Sequence, residues 1–128
     1  MSRDKKDMVI ELVQAYDFTC KKFKLKYHNL PQPFLTCTHR SNEEQTQLYA
    51  QGRTIEGKII TYAKAGESKH NTYLSEAFDI AFITLDKKLD WSEDLFKKFA
   101  EIILTLNNIE WGGNFRTFKD FPHFQTKN

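Results

Sequence analysis

Apolar residues in the first part of the chain recur at helical rather than strand spacing. Val9, Leu12, Val13, Tyr16, Cys20 and Phe23 fall on one face of such a repeat, so residues 4–25 are expected to form one amphipathic helix. The lysines at 21, 22, 24 and 26 suit the solvated end of that helix, where cations complement the backbone dipole. The run HNLPQP at 28–33 then breaks the chain, and FLTCT at 34–38 has the composition of a short strand. Ser41 and Glu44 have the spacing of a capping box, which predicts a helix from 42 to about 51 stopping at Gly52. The stretch GRTIEGKIITYAKAGES is expected to be loop around a short strand at 58–63. AFDIAFIT at 77–84 alternates in part and is assigned as a strand, with LDKKLD as the turn after it. Asp90 and Glu93 suggest a second capping box. Leu95, Phe96, Phe99, Ile102, Ile103 and Leu106 then trace the buried stripe of a third helix over about 91–107. NNIEWGGNF turns into a strand, and FPHFQ supplies the last one. Helices thus alternate with a few short strands, which predicts a small α+β domain with a mostly antiparallel sheet and packed helices.

Composition narrows this picture. The chain has 128 residues and no internal repeat or linker, so 1–128 is expected to be a single domain. An apolar share of 40% with eleven Phe supports a packed core rather than a disordered chain. A formal charge of +2 makes no case for nucleic acid or an anionic membrane as partner. No apolar run approaches the roughly 20 residues of a membrane span, so membrane insertion is not expected. The opening MSRDKKDMVIELVQAYDF has no apolar h-region of a secretory signal, so the protein is expected to be made in the cytoplasm. Cys20 and Cys37 lack CxxC spacing and are taken as ordinary buried or half-buried thiols.

Asp79 sits between Phe78 and Ile80, and a carboxylate there is costly to bury without a partner. The simplest partner is a metal ion shared with His70, nine positions earlier, and with His123 from a distant part of the chain. Two imidazoles and one carboxylate around Zn²⁺ leave one position for water, the pattern of a catalytic site. Asp120, three residues before His123, fits a general acid–base role, and Arg40 fits the positive charge that an oxyanion needs. Spacing alone leaves other readings open. His70 fits a loop histidine bonded to Asp79, and His123 fits a core-edge residue between aromatic neighbours. Asp120 fits a turn acid, and Arg40 a surface ion pair. His28, in the Pro-rich break, is expected to be exposed, and His39 to be structural. There is no HExxH motif of the helical zinc proteases.

Three blocks change the balance. THRSNEEQTQLYAQGRT (38–54), KIITYAKAGESKHNTYLSEAFDI (58–80) and EWGGNFRTFKDFPHFQ (110–125) occur in this order. Together the chain resembles the LAS-type zinc peptidases of peptidoglycan, peptidase family M15. That family includes D-Ala-D-Ala carboxypeptidases and the L-alanyl-D-glutamate endopeptidases of many phage endolysins. The resemblance implies one Zn²⁺ held by His70, Asp79 and His123, with Asp120 as catalytic base and Arg40 as oxyanion or substrate ligand. It implies substrate or supporting contacts from Ser68, and a cleft floor shaped by Trp111 with Gly112 and Gly113. The implied fold is that of the DD-peptidases and Hedgehog signalling domains. The implied substrate is the peptidoglycan stem peptide, cut at L-Ala–D-Glu by a monomer that reaches the wall after holin-type release. A D-Ala-D-Ala carboxypeptidase and a metal-binding recognition domain without turnover are the alternatives. A nucleic-acid binder using Lys21–Lys26 is a more remote one, and it would bind DNA with a steep salt dependence. The sequence departs from the family in four places. The interval from His70 to Asp79 is two residues longer than the common form, Ser75 stands in place of Gly, Asn114 in place of Asp, and Gln125 in place of Glu.

Overall fold

The computed structural model describes residues 1–127. Among these residues three α-helices and five strands follow one another as α1 (Ile10–Lys26), β1 (Gln32–Cys37), α2 (Asn42–Ala50), β2 (Ala77–Ile83), β3 (Leu89–Asp90), α3 (Glu93–Ile103), β4 (Ile109–Trp111) and β5 (His123–Thr126). The expected α+β class holds. The strands form one antiparallel sheet in the order β1-β2-β5-β4, with β3 paired to β2.

The alternation along β2 explains why the sheet has two unlike faces. Phe78, Ile80 and Phe82 point to one side and are fully buried against α1 and α3. Phe124 of β5 stacks on Phe78 with ring centroids 5.5 Å apart, and Phe99 of α3 packs 5.1 Å from Phe124. Leu12 and Phe23 of α1 close this core. Asp79 takes the opposite face, which is the face that carries polar chemistry.

Several boundaries differ from the sequence expectation. α1 begins at Ile10, not at residue 4, because Asp4 caps a separate short turn at Lys5–Asp7 and accepts from the Lys6 amide at 2.9 Å. Met8 and Val9 are extended, and bonds Val9 N to Ser75 O and Ser75 N to Asp7 O, both 2.9 Å, fasten a distant loop to the helix start. The Ser41–Glu44 capping box forms in both directions, at 3.1 and 2.9 Å. The Asp90–Glu93 box does not. Asp90 instead accepts from the Ser92 amide at 3.0 Å, and Ser92 becomes the cap of α3. α3 ends at Ile103 rather than 107, and turns lead through Asn108 at a left-handed φ of 72° into β4. β1 starts at Gln32, two residues early, and Leu89–Asp90 of the expected turn pairs with Phe82 and Ile83. The expected strand at 58–63 is absent. That segment hangs on side chains instead: Gln45 Nε2 donates to Ala63 O at 2.7 Å, and Gln51 Nε2 to Lys58 O at 3.1 Å. No described helix is long and apolar enough to cross a membrane.

Candidate metal centre and catalytic cleft

The register of three strands places the site. Cys37 of β1 lies opposite Asp79 of β2, and Asp79 lies opposite His123 of β5. Asp79 Oδ1 is 3.1 Å from His70 Nε2 and 3.0 Å from His123 Nδ1. The two imidazole centroids are 5.1 Å apart. Asp79 Oδ2 faces Arg40 Nη2 at 3.7 Å. The strand-borne carboxylate therefore has three partners, all drawn from residues singled out in the sequence.

His70 comes from a loop, and polar side chains shape that loop. Asn71 Oδ1 accepts from the amides of Gly66 and Ser68 at 3.1 and 3.2 Å, and Asn71 Nδ2 donates to Arg40 O at 3.0 Å. Ser68 Oγ accepts from the His70 amide at 3.2 Å. The ring is aimed from behind: His70 Nδ1 lies 2.7 Å from Thr38 O. A carbonyl only accepts, so Nδ1 carries the proton and Nε2 turns to Asp79. Ser75, in the place of the family glycine, is fully buried, and its hydroxyl lies 2.9 Å from the same Thr38 carbonyl and 2.7 Å from Ala77 O. The longer interval between His70 and Asp79 is accommodated by these bonds.

The charges are strongly coupled. Burial pushes the Asp79 carboxyl up, but the His70 charge and hydrogen bonds from both imidazoles outweigh it and hold Asp79 well below the usual carboxylate range. Burial lowers the His70 pKa, yet the neighbouring Asp79 and hydrogen bonds with Asp79 and Cys37 raise it to about 10.

Asp120 lines the same cleft as Arg40, Ser68, His70, Asp79 and His123, a hollow of about 710 Å³. Burial, and then the nearby Asp79 charge, raise its pKa above the ordinary value. Its backbone is fixed by Gly112: the Asp120 amide donates to Gly112 O at 2.9 Å, and a Cβ at Gly112 would come within 2.3 Å of Asp120 O. Trp111 does not line the cleft. It is buried in the core, stacks on Phe124, and donates from Nε1 to Phe121 O at 2.8 Å. It steadies the segment that carries Asp120 from beneath.

Sequence reasoning missed several members of the site. Cys37, expected to be an ordinary thiol, puts Sγ 3.6 Å from His70 Nδ1, and Cys37, His70 and Asp79 together offer ligand atoms within 4.8 Å of one another. Cys37 addresses the Nδ1 side of the ring, where His70 already serves Thr38, whereas His123 and Asp79 meet on the Nε2 side. Gln45 holds Arg40 Nη1 at 3.0 Å, and Arg40 Nε is buried with no partner among the described residues. The signal for Cys37 is its strand position, since a bulge between Leu35 and Cys37 brings it opposite Asp79.

Comparison with known proteins points to one family. Residues 61–126 match the profile of an M15 peptidase family described as D-alanyl-D-alanine carboxypeptidase. The chain is 41% identical over 95 residues to the peptidoglycan L-alanyl-D-glutamate endopeptidase CwlK of Bacillus subtilis (strain 168). That match covers 67% of this chain and 55% of CwlK, so the chain spans about half the length of this curated relative. The fold is similar to the crystal structure of the Serratia marcescens L-Ala D-Glu endopeptidase ChiX, with a TM-score of 0.67 at 20% identity. The superposition covers 98% of this chain and 87% of ChiX.

Proposed function

The chain belongs to the M15 peptidase family, and on that premise we propose that it is a zinc peptidase cleaving the L-Ala–D-Glu bond of the peptidoglycan stem peptide. The observation that carries this reading is the convergence of His70 Nε2 and His123 Nδ1 on one oxygen of Asp79. The donor set suits zinc: two imidazoles and a carboxylate, with each outer ring nitrogen engaged by a separate hydrogen-bonding oxygen. His70, Asp79 and His123 are the ligands in this reading. Bound there, zinc supplies Lewis-acid polarisation of the scissile carbonyl and acidification of water.

The chain's own residues do the rest. Asp120 takes a proton from the attacking water and returns it to the leaving amine. Its raised pKa brings it closer to the pH at which one group serves both steps. Arg40, pinned by Gln45 and facing Asp79, holds positive charge at the cleft for the oxyanion. Ser68 borders the cleft and fixes the His70 loop, so it acts through that loop as well as toward substrate. The choice of bond rests on the activities that CwlK and ChiX are named for. The family description favours one rival, removal of a terminal D-Ala. In this reading the enzyme is a monomer acting on the wall, made in the cytoplasm, not inserted in the membrane, and released by a holin-type route.

Mass spectrometry of digested muropeptides tests the proposal. Release of the peptide after its first alanine is expected. Loss of only one terminal alanine would reassign the enzyme as a carboxypeptidase. Activity that survives chelation, in protein free of zinc, would overturn the metallopeptidase reading.

A further inference from the structure

His123 is held on its outer side by a short relay that runs along the cleft face of the sheet. His123 Nε2 lies 2.8 Å from Gln125 Oε1, and Gln125 Nε2 donates to Glu110 Oε1 at 2.5 Å. The ladder builds this in. Glu110 of β4 is directly opposite Gln125 of β5, and Asp79 of β2 is directly opposite His123. Gln125 follows His123 by two positions, so both side chains leave the same face.

An amide has one accepting and one donating end, and its orientation is decided by its neighbours. A carboxylate accepts only. Glu110 therefore draws the NH₂ of Gln125, which turns the amide oxygen to His123, which in turn keeps the ring proton on Nε2. With Nε2 committed to Gln125, Nδ1, which lies 3.0 Å from Asp79 Oδ1, is the ring nitrogen that a metal ion shared with Asp79 would take. We propose that Glu110 and Gln125 are positioning residues that set the hydrogen-bond polarity of His123 and so make its Nδ1 a metal ligand. This inference rests on the zinc reading above. It gives a reason for Gln125, which differs from the family's glutamate. Only an amide transmits the polarity of Glu110 without adding a second negative charge beside it.

The polarity can be reversed. Glu110→Lys replaces an acceptor with a donor, which rotates the Gln125 amide, presents NH₂ to His123, takes the proton off Nε2 and ties Nδ1 to its proton. Glu110→Gln retains an acceptor, and Gln125→Leu removes the relay. Two readouts are needed, with urea unfolding confirming that each variant is folded. The first is Zn²⁺ affinity by competition with a chromophoric chelator. Glu110→Lys and Gln125→Leu are expected to bind about 10–100-fold more weakly, and Glu110→Gln to stay near wild type. The second is the ring Nε2–H signal of His123 in ¹H–¹⁵N spectra of the metal-free protein. It should be protected from exchange in wild type and Glu110→Gln, and lost in the other two. A protected signal and undiminished affinity in Glu110→Lys would overturn the relay. The expected ring-proton pattern with equal Zn²⁺ affinity in all four proteins would uphold the relay and overturn His123 as a ligand.

Discussion

Asp79 and His123 are delivered by paired strands, whereas His70 is delivered by a loop with no ladder of its own. The strand pair inherits its geometry from backbone hydrogen bonds and from the Phe78–Phe124–Phe99 stack on the far side of the sheet. The loop acquires the same definition one polar bond at a time, from Asn71, Ser68, Ser75 and the Thr38 carbonyl. Equal positional accuracy is thus reached by two routes with different weaknesses. A strand-borne ligand is lost through the core behind it. A loop-borne ligand is lost through a hydroxyl or an amide.

Removing the ligands themselves should erase the distinction. His70→Ala and His123→Ala are each expected to abolish stoichiometric zinc and peptidoglycan cleavage, measured by metal analysis and muropeptide release. Retained zinc in either would break the symmetry between loop and strand ligands. Asp120→Ala should lower turnover by about 10²–10⁴-fold and keep the metal. The same two assays check it.

Packing and polar support come next. Phe124→Ala should cost about 3–5 kcal/mol of stability, read from the urea midpoint, because the stacked core collapses only in part. Ser75→Ala should cost about 1–3 kcal/mol through unsatisfied buried groups. Its effect on zinc affinity should nevertheless be the larger share, because Ser75 and His70 converge on one carbonyl. Equal loss of affinity and stability in both variants would show that the two routes are not separate.

The most gradual effect is in pH. His70 is faced by Asp79, Cys37, the Thr38 carbonyl and, across the carboxylate, His123 and Arg40. Its folded pKa of about 10 lies above its ordinary 6.5. In the metal-free protein this stabilisation is complete below about pH 6.5 and is lost as pH rises toward about 10. Asp79 has the opposite sign: its contribution is present above the ordinary carboxylate range and is lost on acidification. Zinc must displace the His70 proton, so affinity should rise by about tenfold per pH unit for each proton released. Titration calorimetry in buffers of different ionisation enthalpy measures that proton count.

The same contrast decides what is legible in the sequence. Phe78, Ile80 and Phe82 announce a strand by alternation, and Asp79 stands out because it interrupts an apolar run. The Ser41–Glu44 box marks the start of α2 for a local reason. Local rules fail where distant groups compete. Ser92 takes the cap expected of Asp90 with Glu93, and side-chain bonds from Gln45 and Gln51 stand in for a ladder at 58–63. The ligand candidates can be named from their family motifs. Their mutual orientation cannot, because Cys37, Glu110 and Gln125 enter the site through strand register, which no spacing along the chain encodes.

The most direct test is the anomalous signal of zinc in a crystal of the loaded protein. One peak bonded to His70 Nε2, Asp79 Oδ1 and His123 Nδ1 is the predicted result. A peak on Cys37 with His123 left aside, or no peak at these side chains, would contradict it.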